Sequence, residues 1–198
     1  MRVPLLIACG SILVFLACGP SMPDVQRIDP NTQTDISGRW NDTDSRLVSQ
    51  QMIEDVLKGR WLADYAAKGK PRVIVGTIRN RSLEHIAVGT FINDLEKALT
   101  ESGRVTFVAT RSERDEVRDE RADQGDYASD ATRKEFHKEK GADFMLKGEI
   151  NSTVDAAGGL ATVYYQVNLV LIDLETNEKV WIGDKKIKKV VERGAWTQ

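Results

Sequence analysis

Pro71-Arg-Val-Ile-Val-Gly-Thr-Ile-Arg-Asn80 is the stretch whose reading decides the fold. Between Pro71 and Asn80, residues 72–78 form a short apolar, β-branched run, which reads as a buried strand. Downstream, Val88, Phe91, Ile92, Leu95 and Leu99 keep the i, i+3, i+4, i+7 spacing of one helix face. Gly103 then stands where a helix commonly ends on a left-handed residue. Val105 to Ala109 predicts a second strand. Ser112-x-x-Asp115 predicts a capping box, opening a helix to about Asp123 that Gly125-Asp126 breaks. Ser129 or Asp130 is then expected to cap a further helix through Phe136, ending at Gly141.

The remainder reads as a meander. Ala142 to Ser152 predicts a third strand, Ala156-Ala-Gly-Gly159 a turn, and Ala161 to Asp173 a fourth strand. In that fourth strand Val163, Tyr165, Val167, Leu169 and Leu171 alternate onto one face, with Gln166 and Asn168 on the other. Glu175-Thr-Asn-Glu178 turns the chain into a last strand, Lys179 to Val191. Strand, helix and strand, followed by a three-strand meander, predict an α/β fold with a single mixed sheet packed with helices. Proline supports the boundary, because none occurs after Pro71.

Working back toward the N-terminus, Val48, Met52, Ile53, Val56 and Leu57 repeat at helical spacing. Gly59 interrupts them, and Trp61, Leu62, Tyr65 and Ala66 suggest one or two further turns before Gly69-Lys70-Pro71. Turn formers surround Trp40 in Ser37-Gly-Arg-Trp-Asn-Asp-Thr-Asp44. Residues 19–36 are polar, hold Pro20, Pro23 and Pro30, and show no period, so they read as an extended linker. Fully stretched, such a linker reaches about 60 Å.

The first residues read as a leader. Arg2 supplies a positive charge, Val3 to Leu16 is almost wholly apolar, and Phe15-Leu-Ala-Cys18 closes the run. Charge, short apolar core and a small residue before the cut describe a secretory signal peptide. A membrane span needs roughly 20 apolar residues, more than this run supplies. Leu16-Ala-Cys18 resembles a bacterial lipobox, in which cleavage frees Cys18 for lipid attachment. The rival reading is an ordinary signal peptide with a chance cysteine. Cys9 follows Leu6-Ile-Ala8, but the apolar run before it is too short. The expected organisation is therefore a signal peptide over 1–17, Cys18 with a flexible linker over 18–36, and one domain over 37–198.

Composition bounds the function. Both cysteines fall in or at the end of the leader, so no disulfide can form inside the folded body. Without Arg2 the balance is 27 basic against 30 acidic residues, which is no footprint for nucleic acid. Nucleotide-binding glycine loops, H-E-x-x-H and nucleophile-elbow motifs are all missing. His85 and His137 are isolated and have no cysteine partner, so they make no zinc site of the usual kind. Glu113 to Arg121 interleaves acids with arginines at helical spacing, which reads as paired, solvated charge or as a charged docking surface. Neither catalysis, a metal nor a cofactor is expected.

Binding remains. Arg79, Asn80, Arg81 and Ser82 sit where the first strand ends, an edge at which α/β sheets present ligands or partners. A polar turn is the plainer reading. Lys185, Lys186, Lys188 and Lys189 lie on the last strand, either as a guard against edge-to-edge pairing or to steer an acidic partner. Trp40 and Trp196 flank the domain as interface anchors or as core-packing residues.

Arg72 to Ser82, Leu95 to Val108, Gly141-Ala-Asp-Phe-Met-Leu146 and Asp173 to Gly183 resemble, in the family's order, segments of the LpoB family. The resemblance runs from about Trp40 to Lys189, and includes the lipobox. It implies an outer-membrane lipoprotein, facing the periplasm, that activates a bifunctional penicillin-binding protein, the peptidoglycan synthase. It also implies a domain similar to the N-terminal domain of TolB, a relationship shared by curli-secretion lipoproteins of the CsgG type. A CsgG-like subunit of an envelope secretion or structural assembly is the alternative. Charge on both faces of strand 179–191 speaks against a lipid-facing strand. The best-known members carry a long Pro-rich linker after the lipid, where this chain has a short one.

Overall fold

The computed structural model describes residues 25–192. Two compact units divide the chain between Thr32 and Gln33. Of the first, residues 25–32 are exposed, irregular chain closing in a turn. There Asp29 Oδ1 accepts from the Asn31 N–H at 2.7 Å, and the Asp29 carbonyl from the Thr32 N–H at 3.0 Å. Asp followed by Pro30 is the sequence a type I turn favours. Among the described residues no helix is long and apolar enough to cross a membrane. The leader and Cys18 lie outside the described residues, as does Trp196.

The second unit holds one five-stranded sheet in the order β2-β1-β3-β4-β5. Its strands are β1 (Arg72–Asn80), β2 (Thr106–Phe107), β3 (Phe144–Ala157), β4 (Leu160–Asp173) and β5 (Lys179–Glu192). β2, β1 and β3 run parallel, and β3, β4 and β5 form an antiparallel meander. The sheet is mixed, as its strand–helix–strand beginning and meander ending require. Four helices accompany it: α1 (Asp42–Lys58), α2 (Arg60–Tyr65), α3 (Val88–Glu101) and α4 (Arg111–Tyr127).

α1, α2 and α3 cover one face. Val48, Met52 and Val56 of α1, Trp61 and Leu62 of α2, and Phe91, Leu95 and Leu99 of α3 pack on β-strand residues in a continuous core. The alternation in β4 is met: Val163, Tyr165, Val167, Leu169 and Leu171 are all buried, at 0–8% exposure. α3 ends with Gly103 at φ 67°, the left-handed conformation that glycine adopts without penalty. α1 opens six residues before Val48, the first of its periodic apolar residues, because Asn41 caps it. Asn41 Oδ1 accepts from the Asp44 N–H at 3.1 Å, and Asp44 Oδ2 from the Asn41 N–H at 3.0 Å.

Elsewhere the boundaries move. β2 is only two residues long, because Val105 turns into the core at 2% exposure and the chain leaves for α4. β3 runs on to Ala157, and its hairpin with β4 turns on Gly158 and Gly159 alone, with φ of 57° and 83°. Two successive positive φ values suit a two-residue hairpin loop and select glycine. The capping box of α4 lies two residues before Ser112: both the N–H and the hydroxyl of Thr110 donate to Glu113 Oε2, at 2.6 and 2.7 Å. Gly125 does not break α4, which continues to Tyr127. A helical glycine costs about 1 kcal/mol relative to alanine, too little to stop a helix by itself. The helix expected from Ser129 to Phe136 is absent, and turns occupy that stretch. Phe136 is its one large apolar residue and is half exposed, so no buried face supports a helix. His137, expected in that helix, has φ 62°.

Candidate functional site

Cross-strand register sorts the candidate residues onto two faces. Arg79 of β1 stands opposite Glu149 of β3, Glu149 opposite Asn168 of β4, and Asn168 opposite Asp184 of β5. Successive residues of a strand point to opposite faces, so these four share one row on the face away from α1 and α3. The next row is Asn151, Gln166 and Lys186, and the row after it Thr153, Tyr164 and Lys188. Over β3 to β5 these side chains are half-buried or exposed, and no helix covers them. Arg79, Lys186 and Lys188, all read from sequence as binding candidates, therefore meet on one open surface with Lys147 of β3. Their acidic neighbours are Glu149 and Asp184, with Asp155 and Glu192 farther along the same face. Arg81, just past β1, pairs with Glu149 at 2.9 Å, while its N–H donates to the Ile150 carbonyl at 2.8 Å.

Asn80 and Ser82 are occupied within their own loop. Asn80 Oδ1 accepts from the Ser82 N–H at 2.9 Å, and Asn80 Nδ2 donates to the Glu84 carbonyl at 2.6 Å. The Glu84 N–H donates to Ser82 Oγ at 3.2 Å. These bonds hold Glu84 so that its carboxylate turns inward, where Oε1 accepts from the Tyr165 hydroxyl and Oε2 from the Trp40 N–H at 3.0 Å. The Tyr165 hydroxyl also lies 3.1 Å from the Gly38 carbonyl. Burial, and then the Glu84 carboxylate, push the tyrosine's pKa up, so it remains a donor. Trp40 stacks edge-on against the Tyr165 ring at 5.4 Å and its Nε1 donates to Ser45 Oγ at 2.8 Å. Trp40 is thus a packing residue.

The lysine strand divides likewise. Lys185 and Lys189 alternate onto the helix-covered side, so β5 does carry charge on both faces. Lys189 is 12% exposed at its side chain and its Nζ donates to Asp44 Oδ2 at 2.7 Å, Asp35 Oδ1 at 2.9 Å and the Arg39 carbonyl at 3.0 Å. Burial lowers the ammonium's pKa, but the hydrogen bonds to Asp44 and Asp35 outweigh it and the net shift is upward. The Lys189 ammonium holds the Asp35 carboxyl down to about 2. Nothing in the sequence near Lys189 announces this role, because its partners lie 145 and 154 residues away. Among the described residues no cluster of histidine, cysteine or carboxylate could hold a metal ion.

The sequence matches the family described as peptidoglycan-synthase activator LpoB over residues 44–187, from the start of α1 to the middle of β5. The chain belongs to the LpoB family. LpoB is a family of activators, not a catalytic family. Among solved structures, the LpoB C-terminal domain from Escherichia coli is similar to this chain at 16% identity and a TM-score of 0.42, covering 74% of this chain and 99% of that one. The same domain from Salmonella enterica gives 16% identity and 0.38, covering 76% and 99%. The NMR structure of Escherichia coli LpoB gives 17% and 0.40, covering 97% and 96%. No curated protein matches the chain in sequence.

Proposed function

We propose that this chain is a non-enzymatic outer-membrane lipoprotein, tethered through Cys18, whose folded unit docks on a bifunctional penicillin-binding protein in the periplasm and activates it. The LpoB family match across α1 to β5 carries this reading. A docking protein without reacting groups activates by binding the synthase's active conformation more tightly than its resting one, since a ligand shifts an equilibrium only through differential affinity. Docking uses the open sheet face. Arg81 and Lys186 are paired there to Glu149 and Asp184, and Arg79, Lys147 and Lys188 exceed the remaining acids, Asp155 and Glu192, by one charge, which suits an acidic partner surface. Asn80 and Ser82 contribute by holding the loop that carries Arg81, and Lys185 borders the face from the covered side.

An affinity pull-down from detergent-solubilised envelopes, with the mature chain as bait, tests the function. Recovery of a penicillin-binding protein is the expected outcome, and recovery only of further copies of the bait would replace docking with self-assembly. Palmitate labelling tests the anchor: label on the wild type should vanish in Cys18→Ser, which should also accumulate uncleaved precursor.

A further inference from the structure

α4 presents an unusual inner stripe. Arg114, Val117 and Arg121 follow one another at spacings of three and four and so share one side of the helix. With Phe107, Val108 and Ala109 at the sheet edge they line a groove of about 270 Å³, its wall mostly apolar. A surface helix ordinarily turns apolar residues toward the body it covers. α4 instead has no buried residue, and turns two arginines that way.

Arg121 is accounted for, since Glu139 lies 3.0 Å from its guanidinium and serves Arg118 as well. Arg72, also at the groove, is held by Asp143 through two guanidinium bonds of 2.8 and 3.1 Å. Arg114 is not. Among the described residues no carboxylate pairs with it, and its Nε is shut off from water without a hydrogen-bond partner. A buried, unpaired donor on a charged group is costly and marks a missing partner. Lys140 adds a further cation at the rim.

We propose that this groove binds a small anionic amphiphile, its carboxylate or phosphate on the Arg114 guanidinium and a short apolar chain against Phe107, Val108, Ala109 and Val117. The volume lies near the lower end of the roughly 300–1,000 Å³ of small-molecule sites, which limits the chain to a short one. The charge selects the headgroup: with Arg72 paired to Asp143 and Arg121 to Glu139, Arg114 and Lys140 are left to favour an anion over a neutral or cationic amphiphile. Arginine's planar fork suits either oxyanion. The site is separate from the open face and does not depend on synthase docking.

The test uses residues 18–198 produced without the leader and with Cys18→Ser, so that no attached lipid or detergent competes. Decanoate, decyl phosphate, decanol and decyltrimethylammonium are titrated below their micelle-forming concentrations and followed by NMR. Decanoate or decyl phosphate should saturate and move the amides of Phe107, Val108 and Val117 and the Arg114 Nε–H, and the tighter of the two identifies the headgroup. Decanol should bind at least about tenfold more weakly, the loss expected when one charge-assisted contact is missing. Arg114→Gln should reduce the anions to the decanol level, and Val117→Trp should abolish binding by filling the groove. Unchanged β4 shifts in both variants establish that they fold. Equal affinity for decanol, unaffected binding in Arg114→Gln, shifts confined to other surfaces, or no saturation by either anion would overturn the proposal.

Discussion

The Tyr165 hydroxyl donates to Glu84 Oε1 at 2.5 Å, joining the middle of β4 to a loop 81 residues earlier in the chain. Glu84 in turn accepts from the Trp40 N–H, so one carboxylate ties the loop after β1, the inner strand β4 and the entry to α1. Tyr165→Phe keeps the ring packing and removes only the donor. It should lower unfolding free energy by about 1–3 kcal/mol, because the carboxylate loses a buried partner. Urea unfolding checks the magnitude. An unchanged midpoint would mean that water replaces the hydroxyl.

Acid should loosen the strap formed by residues 33–39. The carboxyl of Asp35 titrates at about 2 in the folded chain, against an ordinary 3.8. A lowered pKa contributes stability that is fully present above the unfolded value and lost as pH falls through the folded one. The loss should therefore run from about pH 4 down to about pH 2. Glu139, held to about 2 by Arg118 and Arg121, acts in the same direction over a similar window. Thermal melts across that range should show Asp35→Asn less stable than wild type near neutrality and less steeply pH-dependent, the two curves converging at the acid end.

Gly148 marks a close approach. A Cβ there would fall 2.3 Å from the Asn168 carbonyl oxygen and 2.5 Å from Leu169 Cδ2. Gly148→Ala should separate β3 from β4 and cost about 1–3 kcal/mol, the usual range for overpacking. Gly89→Ala in α3 is the control, since its Cβ meets nothing within 4 Å. Chemical denaturation of the two variants should differ in sign or in size.

Charge reversal separates docking from folding. Arg79→Glu combined with Lys186→Glu changes two side chains of the open face. Lys186 pairs only with Asp184 across 3.3 Å, both about half exposed, so little stability is lost. Each change should alter folding by less than about 0.5 kcal/mol. Affinity for the synthase should fall tenfold or more, and its salt dependence should flatten. Calorimetry beside a binding assay at two ionic strengths reads both. Unaltered affinity would move the interface to another surface.

How far the sequence spoke depended on distance along the chain. β4 was legible because its period of two coincides with burial on one face, and α3 because its apolar residues keep a helical period to Leu99. The two-residue β2 and the absent helix after Ser129 were not, since local pattern cannot reveal whether a neighbour stands ready to bury a face. The capping box of α4 was legible in principle, since Thr110-x-x-Glu113 carries the Glu that the box favours and Ser112-x-x-Asp115 carries Asp. The candidate site was half legible. Arg79, Lys186 and Lys188 share one open surface, but that fact is a matter of register, which no single strand contains. Asn80 and Ser82 looked like docking residues because a loop-stapling polar triplet and an exposed one have the same composition. Lys189 looked like its three neighbours until Asp35 and Asp44 were seen around it.

That last contact bears on how β5 finds its alignment. Sliding a strand by one residue exchanges its two faces. In β5 the exchange would swap Trp181, Lys185, Ile187, Lys189 and Val191 for Ile182, Asp184, Lys186, Lys188 and Val190. Both sets mix apolar and charged residues, so hydrophobicity alone discriminates poorly between the two alignments. The two acids waiting for one lysine break the tie in one direction: a slip that set Val190 in the place of Lys189 would leave Asp44, which is 2% exposed, as a stranded buried charge. The ion pair thus acts as a proofreading device for the edge of the sheet, rejecting that one slip although the strand's own pattern would tolerate it.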